Sequence, residues 1–261
     1  MSYVLLLARQ RTGTGALNSA LEKHPNIKYL GEIFNPNDVN SETNFFRFYE
    51  KEIKARGKKT WPNIKAAVFQ RYIKIMHERY KRKTLITDVK YNNLHHLDGN
   101  WRGLIEMPLF LQETMNCDRP IIYLKRKNRL RTFLSGVLAE LNNVWHTSEK
   151  RHLRRLSVPI DTNYLCNYID ITEKEDELIS NWIGHYHKKI EFDYADLFSS
   201  SGEINSQIIG SVLDLMGQPL VPGLQPSIIK QAPMDLTAAI ENFEDVQRAL
   251  AGTRHEWMLT D

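Results

Sequence analysis

The start of the chain constrains the fold most. Tyr3-Val4-Leu5-Leu6-Leu7-Ala8 runs without interruption into Arg9-Gln10-Arg11-Thr12-Gly13-Thr14-Gly15 and then into Ala16-Leu17. An unbroken apolar run this short reads as a strand buried on both faces, which belongs in a parallel sheet covered by helices. The loop that follows is built for an anion. Glycines admit a close backbone approach, and the N-terminus of the next helix offers N–H groups with partial positive charge. Thr12 and Thr14 add hydroxyls, and Arg9 and Arg11 add charge. The loop lacks the Gly-Lys-Ser/Thr ending of nucleoside-triphosphate loops, so a phosphate-like group held by Arg and hydroxyls, without metal, is the expected ligand.

A second segment has the same form. Ile121-Ile122-Tyr123-Leu124 leads into the basic turn Lys125-Arg126-Lys127-Asn128-Arg129 and a helix over 130–144 that carries Ser135. Apolar runs at 84–89 and 190–194 read as two further strands. Helical periodicity is expected over 14–24, 45–56, 64–80 after Pro62, 104–116 with a break at Pro108, 170–187, 203–216 up to Gly217, and 236–250; the segment 26–39 reads as loop. On residues 170–187, Leu178, Trp182 and His185 form the expected apolar stripe. Strands alternating with helices imply a three-layer α/β fold with a mostly parallel sheet and right-handed crossovers. A ligand then belongs at the carboxyl ends of the strands, where the two basic loops fall.

Together these segments resemble the sulfotransferases that use 3′-phosphoadenosine 5′-phosphosulfate (PAPS), in the bacterial and carbohydrate-type branch. The resemblance implies a P-loop-like fold in which the first loop, Arg9 to Gly15, holds the 5′-phosphosulfate. It also implies that Arg126 and Ser135 hold the 3′-phosphate, leaving 3′,5′-ADP as product. Gly31-Glu32 resembles the pair whose Glu serves as base, and Thr87-Asp88-Val89-Lys90 resembles the short strand ending in Lys. Phe192-Asp193-Tyr194-Ala195-Asp196-Leu197, Lys230-Gln231 and Gly252-Thr253-Arg254 echo the family further along. The matches span residues 3 to 254, and they imply one domain over 1–261 with a helical, substrate-side insertion at about 40–83.

Sulfuryl transfer needs cations near the bridging oxygen and a base near the acceptor hydroxyl. Arg11 takes the first role electrostatically, since a guanidinium is too weak an acid to give up a proton. Glu32 is the candidate base, against the plainer reading of a salt bridge to a nearby cation. His95 and His96 are rival bases, and His95 and Lys90 are candidates for the substrate side. Arg9 either contacts phosphate or pairs with an acidic neighbour. Thr12, Gly13, Thr14 and Gly15 also read as an ordinary helix cap and turn, Arg126 as a basic strand end and Ser135 as a helix-face serine. Asn128, Arg129 and Arg131 read mainly as a solvated charge run. Trp61, Phe69, Tyr72, Tyr80 and Trp145, with basic residues in 51–83 and 146–155, suggest a groove for a glycan, lipid-linked sugar or small metabolite, although aromatics at helical spacing are more often core.

Composition sets outer limits. The 261 residues are 42% hydrophobic and 25% charged, with a net charge of +4. That charge suits an anionic substrate but is too small to imply nucleic acid. Cys117 and Cys166 have no metal-site spacing and are expected to be free thiols. Val4 to Ala8 is too short for a signal peptide, and no run reaches membrane-spanning length, so a cytoplasmic location without a membrane span is expected. Two rivals stay open: a nucleotide kinase, which needs a loop Lys and a Mg²⁺ carboxylate, and a non-enzymatic polyanion- or RNA-binding protein.

Overall fold

The computed structural model describes residues 3–56, 62–96, 106–145, 157–199, 202–227 and 235–260. Trp61, the basic segment 146–156 and Lys230-Gln231 lie outside them.

Among the described residues, five strands form one parallel sheet. The strands are β1 (Tyr3–Ala8), β2 (Ile27–Glu32), β3 (Thr84–Lys90), β4 (Ile121–Lys125) and β5 (Lys189–Asp193), in the order β2-β3-β1-β4-β5. The most apolar strand is thus the central one. All six residues of β1 are buried, and their alternation feeds two cores. Tyr3, Leu5 and Leu7 face one layer, where α3 (Pro62–Arg79) contributes Val68, Phe69, Tyr72 and Ile73 and α6 (Thr162–Ile183) contributes Ile179 and Ile183. Val4, Leu6 and Ala8 face the other, packed on Leu17, Ala20 and Leu21 of α1 (Thr14–Leu21) and on Ile209, Val212 and Leu213 of α7 (Ser206–Leu215). A third cluster lies beyond β4. It joins α5 (Arg129–Asn142) to α6 and to two short helices, α8 (Leu236–Ala239) and α9 (Phe243–Leu250). The expected three-layer α/β architecture is present.

Several elements differ from the sequence expectation. Residues 27–32, expected as loop, form β2, an edge strand whose faces are only partly buried, so its apolar signal is weak. Helix α6 starts eight residues before the expected boundary. Asp161 caps it by accepting from the Tyr164 N–H at 2.9 Å, and its buried stripe is Leu165, Ile169, Thr172, Asp176, Ile179 and Ile183. His185 is exposed beyond the helix end. The expected helix 236–250 is two helices. Ile240 leaves the helical path to bridge Val158, and the Asn242 side chain exchanges bonds with both backbone groups of Ile160. Helix α4 (Leu109–Asn116) precedes β4, and the segment between β2 and β3 forms α2 (Phe45–Arg56) and α3. Its Phe69 and Tyr72 are buried in the core and do not line a groove. No helix among the described residues is long and apolar enough to cross a membrane.

Candidate active site

The loop after β1 sits at the carboxyl end of the sheet, with the ends of β3 and β4 on either side (Ala8 pairs with Lys90 and with Leu124). Two positions in it take left-handed backbone, Arg11 (φ 63°) and Gly13 (φ 90°). Gly13 is required twice. A side chain there would be strained, and its Cβ would lie 2.6 Å from the Tyr194 ring, which follows β5. Gly13 is also the N-cap of α1, so no side chain caps that helix. Thr12 closes the turn by donating to the Arg9 carbonyl at 2.7 Å. Gly15 lies in the first turn of α1.

On the β4 side the site is cationic. Arg126, only 5% exposed, donates to the Arg11 carbonyl at 2.9 Å and lies 4.3 Å from the centre of the Tyr194 ring. It thereby holds the unusual backbone of Arg11 in place. The Arg11 side chain donates to Ser135 Oγ at 3.1 Å and to the Trp145 carbonyl at 2.8 Å, with its guanidinium 5.8 Å from the Trp145 ring centre. Arg126 and Ser135, from one strand–loop–helix segment, therefore both bond to Arg11, which lies 115 and 124 positions away. Burial and the neighbouring Arg126 charge lower the Arg11 pKa to about 10, which leaves it cationic at neutral pH. Burial, with Arg131 adding repulsion, also lowers that of Arg126.

The β2–β3 side carries carboxylates around one ammonium. Lys90, 2% exposed, donates to Thr14 Oγ1 at 2.6 Å and to both oxygens of Asp88 at 2.8 and 3.0 Å. Glu32 Oε1 is 3.5 Å from the same nitrogen. A bulge places Glu32 there: Tyr29 pairs with Ile86 but Glu32 with Asp88, so β2 has one residue extra, and Gly31 takes φ 83°. In strict alternation Glu32 would share the face of Leu30, in the α3-side core. The extra residue moves it to the face of Tyr29, where Lys90 and α1 lie. Burial raises the Glu32 pKa above its ordinary 4.5. Asp88 adds to the rise, and Lys90 and Arg11 oppose it.

Other candidates lie elsewhere. Arg9 is ion-paired with Glu175 of α6 and sits 5.3 Å from the Tyr168 ring centre, which matches the acidic-neighbour alternative. His95 and His96 end a 3₁₀ turn over Tyr91–His96, and their side chains lie outside the described structure. Asn128 and Arg129 are not on a solvated face. Asn128 caps α5 and donates to the Met258 carbonyl at 3.0 Å, and Arg129, 3% exposed, is ion-paired with Asp176, which also accepts from the Tyr91 hydroxyl. Asp170, Glu173 and His255 come together on the surface, but Arg254 already donates to Glu173 at 2.7 Å. The residues the sequence reading passed over are Asp88, Tyr29 and Asn18. A charged residue inside the apolar run Leu85 to Val89 was the available signal for Asp88.

No family model matches this chain, and no curated protein matches it in sequence. Among solved structures it is similar to a sulfotransferase from Alicyclobacillus acidocaldarius. The comparison covers 100% of this chain and 96% of that one, at 12% identity and a TM-score of 0.45.

Proposed function

We propose that this chain is a sulfotransferase that moves a sulfuryl group from PAPS to an acceptor hydroxyl. The observation that carries the reading is the meeting of Arg11, Arg126 and Ser135 on one side of the Gly13 loop, with Glu32 and Lys90 on the other. The donor set suits a polyanion. Arg126 lowers the proton affinity of Arg11, and Arg131 lowers that of Arg126, a repulsion that a bound anion relieves. The uncapped start of α1 adds N–H groups of the kind that bind phosphate.

Arg126 and Ser135 are assigned to the 3′-phosphate, and Arg11, Thr14 and the loop backbone, with the Thr12 N–H, to the phosphosulfate. Glu32 accepts the proton of the acceptor hydroxyl as its oxygen bonds to sulfur and the bond from sulfur to the phosphate oxygen breaks. The raised Glu32 pKa fits this work, because a stronger base is a better proton acceptor, provided it stays ionised at the working pH. Lys90 and Arg11 offset the charge that builds on the departing oxygen.

Calorimetry with 3′,5′-ADP and AMP tests the reading. Tighter binding of 3′,5′-ADP is expected, and Arg126→Ala should weaken 3′,5′-ADP by about 10–100-fold, the worth of a charge-assisted bond, with a smaller loss for AMP. Equal affinities for the two nucleotides in the unaltered protein would refute it.

A further inference from the structure

One charge beside Glu32 has no part in the transfer itself. The Asp88 carboxylate is 1% exposed. Burying a carboxylate is costly, and an apolar side chain would hold a strand here at least as well. Its oxygens are nevertheless fully engaged. Both accept from Lys90, and Oδ2 also lies 3.2 Å from the Tyr29 hydroxyl and 3.4 Å from Asn18 Nδ2. Donors from β2, β3 and α1 thus fix one carboxylate beneath the loop.

The distances around Lys90 show what this does. An ammonium has three N–H donors. Thr14 and Asp88 hold the nitrogen at 2.6 to 3.0 Å, and Glu32 waits at 3.5 Å. The ammonium therefore leans toward the carboxylate that does no chemistry. We propose that Asp88 is a positioning residue that keeps the Lys90 ammonium from pairing closely with Glu32 and adds its own negative charge beside that carboxylate, so that Glu32 remains a usable base. The groups that face Glu32 are Lys90 and Asp88 from β3, Arg11 from the loop and Tyr29 from its own strand. Of these, Asp88 is a negative charge held in place by four donor contacts. A tight Lys90–Glu32 pair would instead hold Glu32 as a weak, ion-paired base. The catalytic meaning rests on the reading of Glu32 as base; the electrostatic coupling does not.

The test follows the Glu32 carboxyl carbon by NMR through a pH titration, the signal being identified by its loss in Glu32→Gln. Glu32 should titrate above 4.5 in the unaltered protein. Asp88→Asn should move the titration down by about one pH unit, the scale of a single nearby charge. Lys90→Met should move it up. Breaking a buried pair can unfold a protein, so Asp88→Asn/Lys90→Met, which strands neither charge, is the second comparison. It should titrate below Lys90→Met. A Glu32 titration indifferent to Asp88 in both backgrounds would overturn the proposal. If the titration moves but the acid limb of the turnover profile stays, Asp88 keeps its role and Glu32 is not the base.

Discussion

The two flanks of the Gly13 loop solve opposite electrostatic problems. Toward β4 and α5, Arg11 and Arg126 donate to neutral acceptors: a main-chain carbonyl each, and Ser135 for Arg11. Toward β2 and β3, one ammonium is shared between Asp88 and Glu32. The contrast extends to two further arginines of the same motifs. Arg9 and Arg129 are paired with the α6 carboxylates Glu175 and Asp176. Arginines two or three residues apart in sequence therefore differ in kind. One set gathers at the Gly13 loop, and the other fastens α6 to the sheet.

Glu32→Gln gives the largest effect. It removes the proposed base from the carboxylate flank and leaves the guanidinium flank intact. Turnover should fall by about 10²–10⁴-fold, with nucleotide affinity nearly unchanged. In the unaltered protein the kcat/KM for the proposed transfer should fall as pH drops through the raised Glu32 pKa, because only the carboxylate accepts a proton; the variant should lack that limb. A parallel loss of affinity and turnover would erase the division between the flanks.

Gly13→Ala strikes the loop they share. It combines left-handed backbone strain with a contact at 2.6 Å to Tyr194, each costing about 1–3 kcal/mol. The melting temperature should drop by about 5 °C or more, and nucleotide affinity should fall with it, since Arg126 rests on the same ring. Tyr194→Ala added to Gly13→Ala should recover only part of the loss, because the backbone strain stays. Full recovery would mean that the ring contact alone makes Gly13 necessary.

Arg9→Ala should do least. Its guanidinium is committed to Glu175, a partly exposed pair of a kind worth about 1 kcal/mol or less. Nucleotide binding should weaken by less than about tenfold by the same measure. A loss as large as that of Arg126→Ala, read by calorimetry, would place Arg9 with the cations that meet the ligand.

Much of the site was legible because its parts are local patterns. The apolar runs before Arg9 and Arg126 mark buried strands, and the glycines of the first loop mark a tight approach. Helix α2 likewise runs over the residues its periodicity suggested. The failures have physical causes. Strand β2 is half-buried at the sheet edge and carries a bulge, so neither length nor alternation marked it. Arg129 looked solvated because its carboxylate partner lies on another helix. Phe69 and Tyr72 looked like groove candidates because aromatic spacing on a helix does not tell a core face from a binding face.

The sequence by itself determined that a buried parallel strand twice meets a basic loop, the first of them bearing glycine, since a strand's burial and a loop's backbone freedom depend on neighbouring residues. Only the tertiary structure decided which charges meet. Arg9 reaches Glu175 across 166 positions, and Arg11 reaches Ser135 across 124. A single extra residue in β2 decides which face Glu32 occupies, and the paired strand β3 decides that Asp88 and Lys90 await it there. Side-chain periodicity records which face is buried. Coulomb energy depends on distance in space, which periodicity does not record.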